Sequence, residues 1–170
     1  MRRTTIVLMA GCALVATGCY DFASPLDAAP QLEIDQALVG GWRCLPAEPA
    51  DEDHPQALTI VFARTGERTY DIDMVTPIDW SEEPVHVPAY PSRLDGSTFL
   101  NINTHSESKP WRLVRYSYLR PNIVLFELVN EAPIRDDGSP AALRRELIRV
   151  GESTDVYEDL FVCVRGLKRK

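Results

Sequence analysis

The sequence predicts a mainly β protein, an antiparallel up-and-down barrel of about eight strands with one helix before the last strand. Two observations predict this fold. Short runs rich in β-branched and aromatic residues recur along the chain and are separated by turn residues. Nearly all of these runs follow one another directly, and a sheet of sequential antiparallel strands tends to close because closure removes its exposed edges.

The runs differ in the burial that they predict. Residues 70–74 alternate apolar and acidic side chains, as a half-buried strand does. The run 122–130 is almost wholly apolar and is expected to be central. Asp95-Gly96 supplies the positive φ angles of a type I′ hairpin turn. The eight strands are expected near residues 40–45, 57–64, 68–76, 84–91, 97–104, 111–119, 122–130 and 160–166.

One segment, near residues 140–150, has a helical pattern instead. Ser139 is a favoured N-cap residue and Pro140 fits the first helical position. Apolar residues recur at helical spacing after them and form one stripe that could lie on a sheet. Gly151 is expected to end the helix.

The first residues of the chain have the pattern of an export signal. Arg2 and Arg3 precede an apolar run over residues 6–16, and small residues follow it. This order is typical of a secretory signal peptide. The run is shorter than the roughly 20 apolar residues that span a bilayer as a helix.

The end of this run, Val15-Ala16-Thr17-Gly18-Cys19, resembles the lipobox of bacterial lipoproteins. The resemblance implies that Cys19 receives a diacylglycerol, that the chain is cut before it and that its new amine is acylated. Several acyl chains on one residue make a durable membrane anchor. Two alternatives remain open: an ordinary signal peptide that contains a cysteine, and a transmembrane anchor.

The resemblance also implies a location in the bacterial cell envelope. In some Gram-negative bacteria, aspartate after the lipidated cysteine retains a lipoprotein in the inner membrane. Tyr20 stands at that position here, which favours the outer membrane. The expected organisation is a signal peptide over 1–18, a lipidated tether over 19–37, which has two prolines and no strong periodicity, and a single β-barrel-like domain over 38–170.

Charge restricts the partners of the chain. Loss of residues 1–18 removes Arg2 and Arg3 and leaves 152 residues, so the net charge changes from −7 to −9. Phosphates would be repelled by this balance, so nucleic acid is not an expected partner. A protein partner is not identified by the sequence.

The cysteine count points to one disulfide. Of the four cysteines, Cys12 would leave with the signal peptide and Cys19 would carry lipid. Cys44 and Cys163 remain, and two thiols in an oxidising compartment tend to pair. A bridge between them would stabilise the domain by roughly 4–5 kcal/mol in the chain-entropy model. Two buried free thiols are the alternative.

Gly40-Gly41-Trp42 resembles the Gly-x-Trp motif that begins the first strand of lipocalins and related barrels. In that family an arginine near the end of the last strand packs over the tryptophan, and Arg165 lies in such a place. An antiparallel register that sets Trp42 opposite Arg165 also sets Cys44 opposite Cys163, on the same face. The resemblance implies a lipocalin-like barrel, although the helix precedes the last strand here and usually follows it in lipocalins.

The three histidines do not have the spacing of a metal site. His54 lies in an acidic loop. His86 and His105 would face each other in a simple hairpin register, but Pro88 would then occupy a hydrogen-bonded position without an N–H. A bulge near residues 88–91 is therefore expected, which would separate the two histidines.

No pattern of catalysis is present. The chain has no Gly-x-Ser-x-Gly elbow and no glycine-rich phosphate loop. Asp71 and Asp73 are explained as solvent-facing charges on a strand. We expect no enzyme activity, no catalytic or metal-binding residues and no cofactor. Four aromatic residues could either line a ligand cavity or fill the core: Trp80, Trp111, Tyr116 and Tyr118.

Two functions remain for an envelope lipoprotein of this kind. The barrel could hold a small apolar molecule or a lipid. Alternatively, a filled barrel could have a structural or protein-interaction role without a ligand. A connected apolar cavity of roughly 300–1,000 Å³ would favour the first function, and a filled interior would favour the second.

Overall fold

The computed structural model describes residues 21–47, 57–75, 85–135 and 137–166. Within them the eight predicted strands and the predicted helix are confirmed, with ends that differ by a few residues, and one short strand precedes them. The elements are β1 (Asp21–Phe22), β2 (Gly40–Pro46), β3 (Leu58–Arg64), β4 (Tyr70–Val75), β5 (Val85–Leu94), β6 (Ser97–Asn103), β7 (Trp111–Arg120), β8 (Ile123–Val129), α1 (Pro140–Val150) and β9 (Tyr157–Arg165).

Strands β2 to β9 form a closed up-and-down barrel. Consecutive strands from β2 to β9 pair antiparallel, and β9 pairs with β2 to close the ring. The barrel has two ends. We call the one where β2 begins and β9 ends the Trp42 end. The other, where β7 begins, is called the β1 end, because β1 pairs there with Trp111 and Arg112 of β7.

β1 occupies an edge that β8 leaves open. β8 pairs with β7 only from Val114 onward, so the first residues of β7 lack a neighbour on that side. Asp21 and Phe22 pair with Arg112 and Trp111 at this place. The short strand therefore covers backbone groups that would otherwise form an exposed edge.

The barrel interior contains the larger of two apolar cores. Side chains alternate in and out along each strand, so every second residue faces this core. Phe62 lies at its centre, with ring centroids 5.8 Å from both Phe126 and Tyr70. The core includes Trp42, Cys44, Ile60, Phe62, Tyr70, Ile72, Val87, Leu100, Val114, Tyr116, Val124, Phe126 and Cys163.

The second core lies on the outer face of β5 to β7, under α1 and the N-terminal segment. Leu143 and Leu147 of α1 are buried there against Phe99 and Leu113. The helix begins and ends as predicted. The Ser139 side chain accepts a hydrogen bond from the Ala142 N–H, and the Gly151 N–H donates to the Leu147 carbonyl.

Residues 21–37 do not form the free tether that the sequence predicted. Phe22 and Leu26 are fully buried in the outer core. Asp21 forms an ion pair with Arg112 at 2.9 Å. The prediction was wrong because widely spaced apolar side chains, without any period, are enough to bind a segment to a preformed sheet face. Cys19 and the predicted signal peptide lie outside the described residues.

The predicted bulge near residues 88–91 was also wrong. β5 and β6 pair in one register from Leu94–Ser97 to Ala89–Ile102, on either side of the predicted Asp95-Gly96 turn. The turn residues have positive φ angles, as expected. The pairing stops just before Pro88, so its missing N–H breaks no hydrogen bond of this ladder.

Candidate functional site

The seam between β2 and β9 has the register that the sequence predicted. Trp42 lies opposite Arg165, and Cys44 lies opposite Cys163. The Arg165 guanidinium carbon is 5.0 Å from the centroid of the fully buried Trp42 ring, within the range of a cation–π contact. The same guanidinium donates hydrogen bonds to the carbonyls of Ala37 and Val39.

The cysteines at the seam form the expected disulfide. Cys44 and Cys163 are bonded, with 4.0 Å between their Cα atoms and a sequence separation of 119. Both are fully buried. The alternative of two free thiols is therefore wrong.

Residues 34–39 cover the Trp42 end of the barrel. Ile34 and Leu38 are buried in the interior core. The Trp42 indole N–H donates to the Leu38 carbonyl at 2.7 Å. Gly40 follows with a φ of 117°, a backbone angle that residues other than glycine rarely adopt. The chain then continues into β2.

A pocket of about 410 Å³ lies between this cover and the barrel wall. We call it the end pocket. Its walls come from the 32–35 segment, from both strands of the β5–β6 hairpin and from β7. The lining residues are Leu32, Glu33, Asp35, Arg93, Thr98, Tyr116 and Tyr118.

Asp35 is held in the end pocket by two tyrosines. The Asp35 N–H donates to the Tyr70 hydroxyl at 2.6 Å, and that hydroxyl donates in turn to the Asp35 carbonyl at 3.2 Å. The Tyr118 hydroxyl donates to Asp35 Oδ2 at 2.8 Å, and the Ala37 N–H donates to Oδ1. The carboxylate therefore has a fixed position with lone pairs to spare.

Tyr116 and Arg93 also line the pocket and have polar groups to spare. Tyr116 is 7% exposed. Among the described residues, neither its hydroxyl nor the Arg93 guanidinium has a hydrogen-bond or ion-pair partner. Burial raises the pKa of the Tyr116 hydroxyl well above its usual value; the nearby Asp35 charge adds to the shift and the Arg93 charge opposes it. The hydroxyl therefore stays protonated at neutral pH and can donate.

A second charged cluster lies on the outer wall around Arg115. Its guanidinium donates to both oxygens of Glu127 and to Glu152, and it stacks on the Tyr157 ring at 3.6 Å. Burial would lower the pKa of Arg115, but the two carboxylates outweigh it and raise that pKa. Because its charge is already matched by two carboxylates, this cluster stabilises the wall and is a poor site for a ligand.

The histidines do not come together. The His86 Nδ1 atom lies 2.5 Å from Asp73 across β4 and β5, on the surface. His105 lies beyond the end of β6 with a φ of 58°. His54 is outside the described residues, and the described part of the chain holds no group of three or more side chains suited to a metal ion.

The aromatic residues singled out in the sequence have separate places. Tyr116 and Tyr118 line the end pocket, and Tyr116 also belongs to the interior core. Trp111 packs on the outer face, edge to face with Tyr90. Trp80 lies outside the described residues. Sequence reasoning missed Asp35 and Arg93; the only signal for Asp35 is its position between the apolar residues Ile34 and Leu38.

Comparisons with known proteins found no relative of this chain. No family model, no curated protein and no solved structure matches the chain. Over the described residues, no helix is long and apolar enough to cross a membrane.

Proposed function

We propose that this chain is a bacterial envelope lipoprotein, anchored through lipid on Cys19, whose filled barrel serves as a structural or protein-interaction module. The filled interior supports this function over the other one that the sequence left open, the binding of an apolar molecule. The rings of Phe62, Tyr70, Tyr116 and Phe126 occupy the space that an apolar ligand would need.

The cavities that the described residues line also differ from an apolar ligand site. One is the end pocket, of about 410 Å³, which contains Asp35 and Arg93. Another, an open groove of about 540 Å³ on the outer wall, contains Arg115 and Glu127. Both carry charge, whereas a site for a lipid chain is lined mainly by apolar side chains.

The outer face of β2 and β9 supports an interaction role. Leu45 is 54% exposed and Val164 is 43% exposed. They are diagonal neighbours, because Leu45 pairs with Val162 and Arg43 pairs with Val164. α1 covers the other side of the barrel and leaves these side chains in water. Adjacent exposed apolar side chains are typical of a surface that contacts another protein.

The anchor would hold the barrel close to the membrane. Asp21 is fixed to β7 by its strand pairing and its ion pair with Arg112. Cys19 is only two residues earlier, and two residues span at most about 7 Å. The proposed lipid therefore places the β1 end against the headgroups and leaves the Trp42 end facing away.

A second candidate function remains, the binding of a small apolar molecule at the β1 end. Met74, Ile102 and Phe161 continue the interior face towards that end and are only partly buried. They would offer an apolar entrance, while the Trp42 end is closed by residues 34–39.

Native mass spectrometry of the protein, taken gently from its own envelope, separates the two functions. The proposed function predicts the mass of the lipidated chain, alone or with a bound protein. A retained apolar molecule or lipid, identified by fragmentation, would contradict the filled barrel, whereas a retained zwitterion in the end pocket would not. Met74→Lys is the matched variant: it should abolish retention if the apolar entrance holds that molecule, and Asp73→Lys, on the opposite face, should not.

A further inference from the structure

The end pocket presents a positive charge beside a hydrogen-bond donor. The Arg93 guanidinium and the Tyr116 hydroxyl both line it, and neither has a partner among the described residues. Tyr116 is only 7% exposed, and its hydroxyl is open to the pocket, where it can meet water or a ligand. A carboxylate accepts from both groups and would satisfy them together.

The same pocket presents negative charge from the N-terminal segment. The Asp35 carboxylate is held by Tyr118 and by the Ala37 N–H. Glu33 lines the pocket beside it. These carboxylates would repel a simple anion but would attract an ammonium group.

The remaining wall comes from Leu32, Thr98 and the ring of Tyr118. Leu32 and the tyrosine ring contribute carbon surface to it. The volume of about 410 Å³ lies within the range of small-ligand sites. The pocket is thus lined by one cation with a neighbouring hydroxyl donor, by two carboxylates and by apolar surface.

We infer that the end pocket binds a small zwitterion with an apolar side chain, the chemistry of a free amino acid or a short peptide. Its carboxylate lies against Arg93 and Tyr116, and its ammonium group lies against Asp35 and Glu33. The binding is independent of the lipid anchor and of the interaction role, because every residue involved belongs to the barrel strands or to residues 32–35.

Calorimetric titration of the purified full-length protein tests this inference. The probes are L-leucine and L-leucyl-L-leucine, together with two analogues of leucine: isoamylamine, which lacks the carboxylate, and 4-methylpentanoate, which lacks the amine. We expect one or both zwitterions to bind, and each analogue to bind about tenfold more weakly or less, since each loses a charge-assisted contact. The tighter of the two zwitterions identifies the source, free amino acid or peptide.

Variants then locate the site. Arg93→Gln and Tyr116→Phe should each weaken binding of the better zwitterion, the first by about tenfold or more. Arg43→Gln removes an exposed arginine of β2 outside the pocket and should leave binding unchanged. Thermal unfolding of each variant shows that the fold is retained, and Glu33→Gln on the exposed segment serves if an interior variant does not fold.

Three results would overturn the inference. One is the absence of binding by both zwitterions at millimolar concentration. Another is 4-methylpentanoate binding as tightly as leucine, which would leave the carboxylates of Asp35 and Glu33 without a role. The last is unchanged affinity in both Arg93→Gln and Tyr116→Phe.

Discussion

Arg165 joins three parts of the molecule with one side chain. It extends over the Trp42 ring from the last strand and donates to two carbonyls of the segment that covers the barrel end. The carbonyls of Ala37 and Val39 would lose this partner without it. Because the stem of an arginine also packs on the indole, both charge and contact area contribute.

We predict that Arg165→Met lowers the free energy of unfolding by about 1–3 kcal/mol, from the lost cation–π contact and the lost charged hydrogen bonds. Urea denaturation measures the change. Arg120→Met, an exposed arginine at the same end of the barrel, is the control and should change stability by less than about 0.5 kcal/mol. Equal effects of the two variants would show that Arg165 does not stabilise the closure.

The buried tyrosines give the domain a pH dependence at alkaline pH. Burial, followed by the charge of Asp27, raises the pKa of Tyr90 to about 12. Burial also raises the pKa of Tyr70, Tyr116 and Tyr118. A folded-state pKa above the unfolded value means that the native protein holds the phenolic proton more tightly than the unfolded chain does.

This stabilisation is complete below about pH 10, the pKa of an unfolded tyrosine, and is lost as pH rises through the folded-state values from about 12 upward. We predict that the melting temperature falls steeply above pH 10 and that tyrosinate absorbance appears together with unfolding. Ionisation of more than one of the six tyrosines near pH 10 in a fully folded protein would contradict this prediction.

The sequence predicted the positions of residues that share one strand register with a second pair. It did not predict the roles of residues without such a partner pair. Trp42 and Arg165 could be predicted because one register also brought Cys44 and Cys163 together. Arg93 could not, because a lone arginine beside a hairpin turn has the same local pattern whether it faces water or a pocket. Its role depends on which segment covers the barrel end.

The N-terminal segment is the element whose role changed most between sequence and structure. Phe22 and Leu26 fill the outer core between β7 and α1. A two-residue strand has no period that a sequence could reveal, so only the packing identifies β1. The eight longer strands were predictable because turn residues separate them and because each pairs with its neighbour in the chain.

We predict that Phe22→Ala destabilises the domain by about 3–5 kcal/mol, the usual cost of removing a fully buried aromatic ring. Gln31→Ala, at an exposed position of the same segment, should have little effect. Denaturant unfolding compares the two variants. If Phe22→Ala unfolds at the same midpoint as the parent, the segment is a free tether after all.

The whole molecule has two different ends. The Trp42 end is covered by residues 34–39 and holds the end pocket. The β1 end lies about 7 Å or less from Cys19 along the chain. A ten-residue strand such as β7, tilted as barrel strands are, separates the two ends by roughly 25 Å.

Together with the lipid proposed on Cys19, this geometry predicts unequal distances from the membrane. A fluorophore at Ser106→Cys, in the loop before β7, should be quenched strongly by quenchers carried on lipid headgroups in vesicles. The same fluorophore at Arg120→Cys, at the far end of β7, should be quenched weakly. Equal quenching at both positions would contradict the short link between Cys19 and the barrel.

The order of the barrel strands could be predicted from the sequence because an up-and-down sheet needs no long-range information beyond the closing pair. The covering of the Trp42 end and the short connection between Cys19 and β1 could not be predicted. Both depend on how residues 21–39 pack on the finished barrel. The shape of the barrel therefore follows from the strand pattern. Its proposed orientation at the membrane follows from the packing of the N-terminal segment.

The proposed location and orientation both depend on the proposed lipid on Cys19. The intact mass of the protein extracted from its membrane tests for this lipid most directly. We predict the mass of residues 19–170 plus a diacylglycerol and an N-linked acyl chain, with the modification on the N-terminal cysteine after fragmentation. An unmodified N-terminus, or a chain that still begins at Met1, would contradict the anchor.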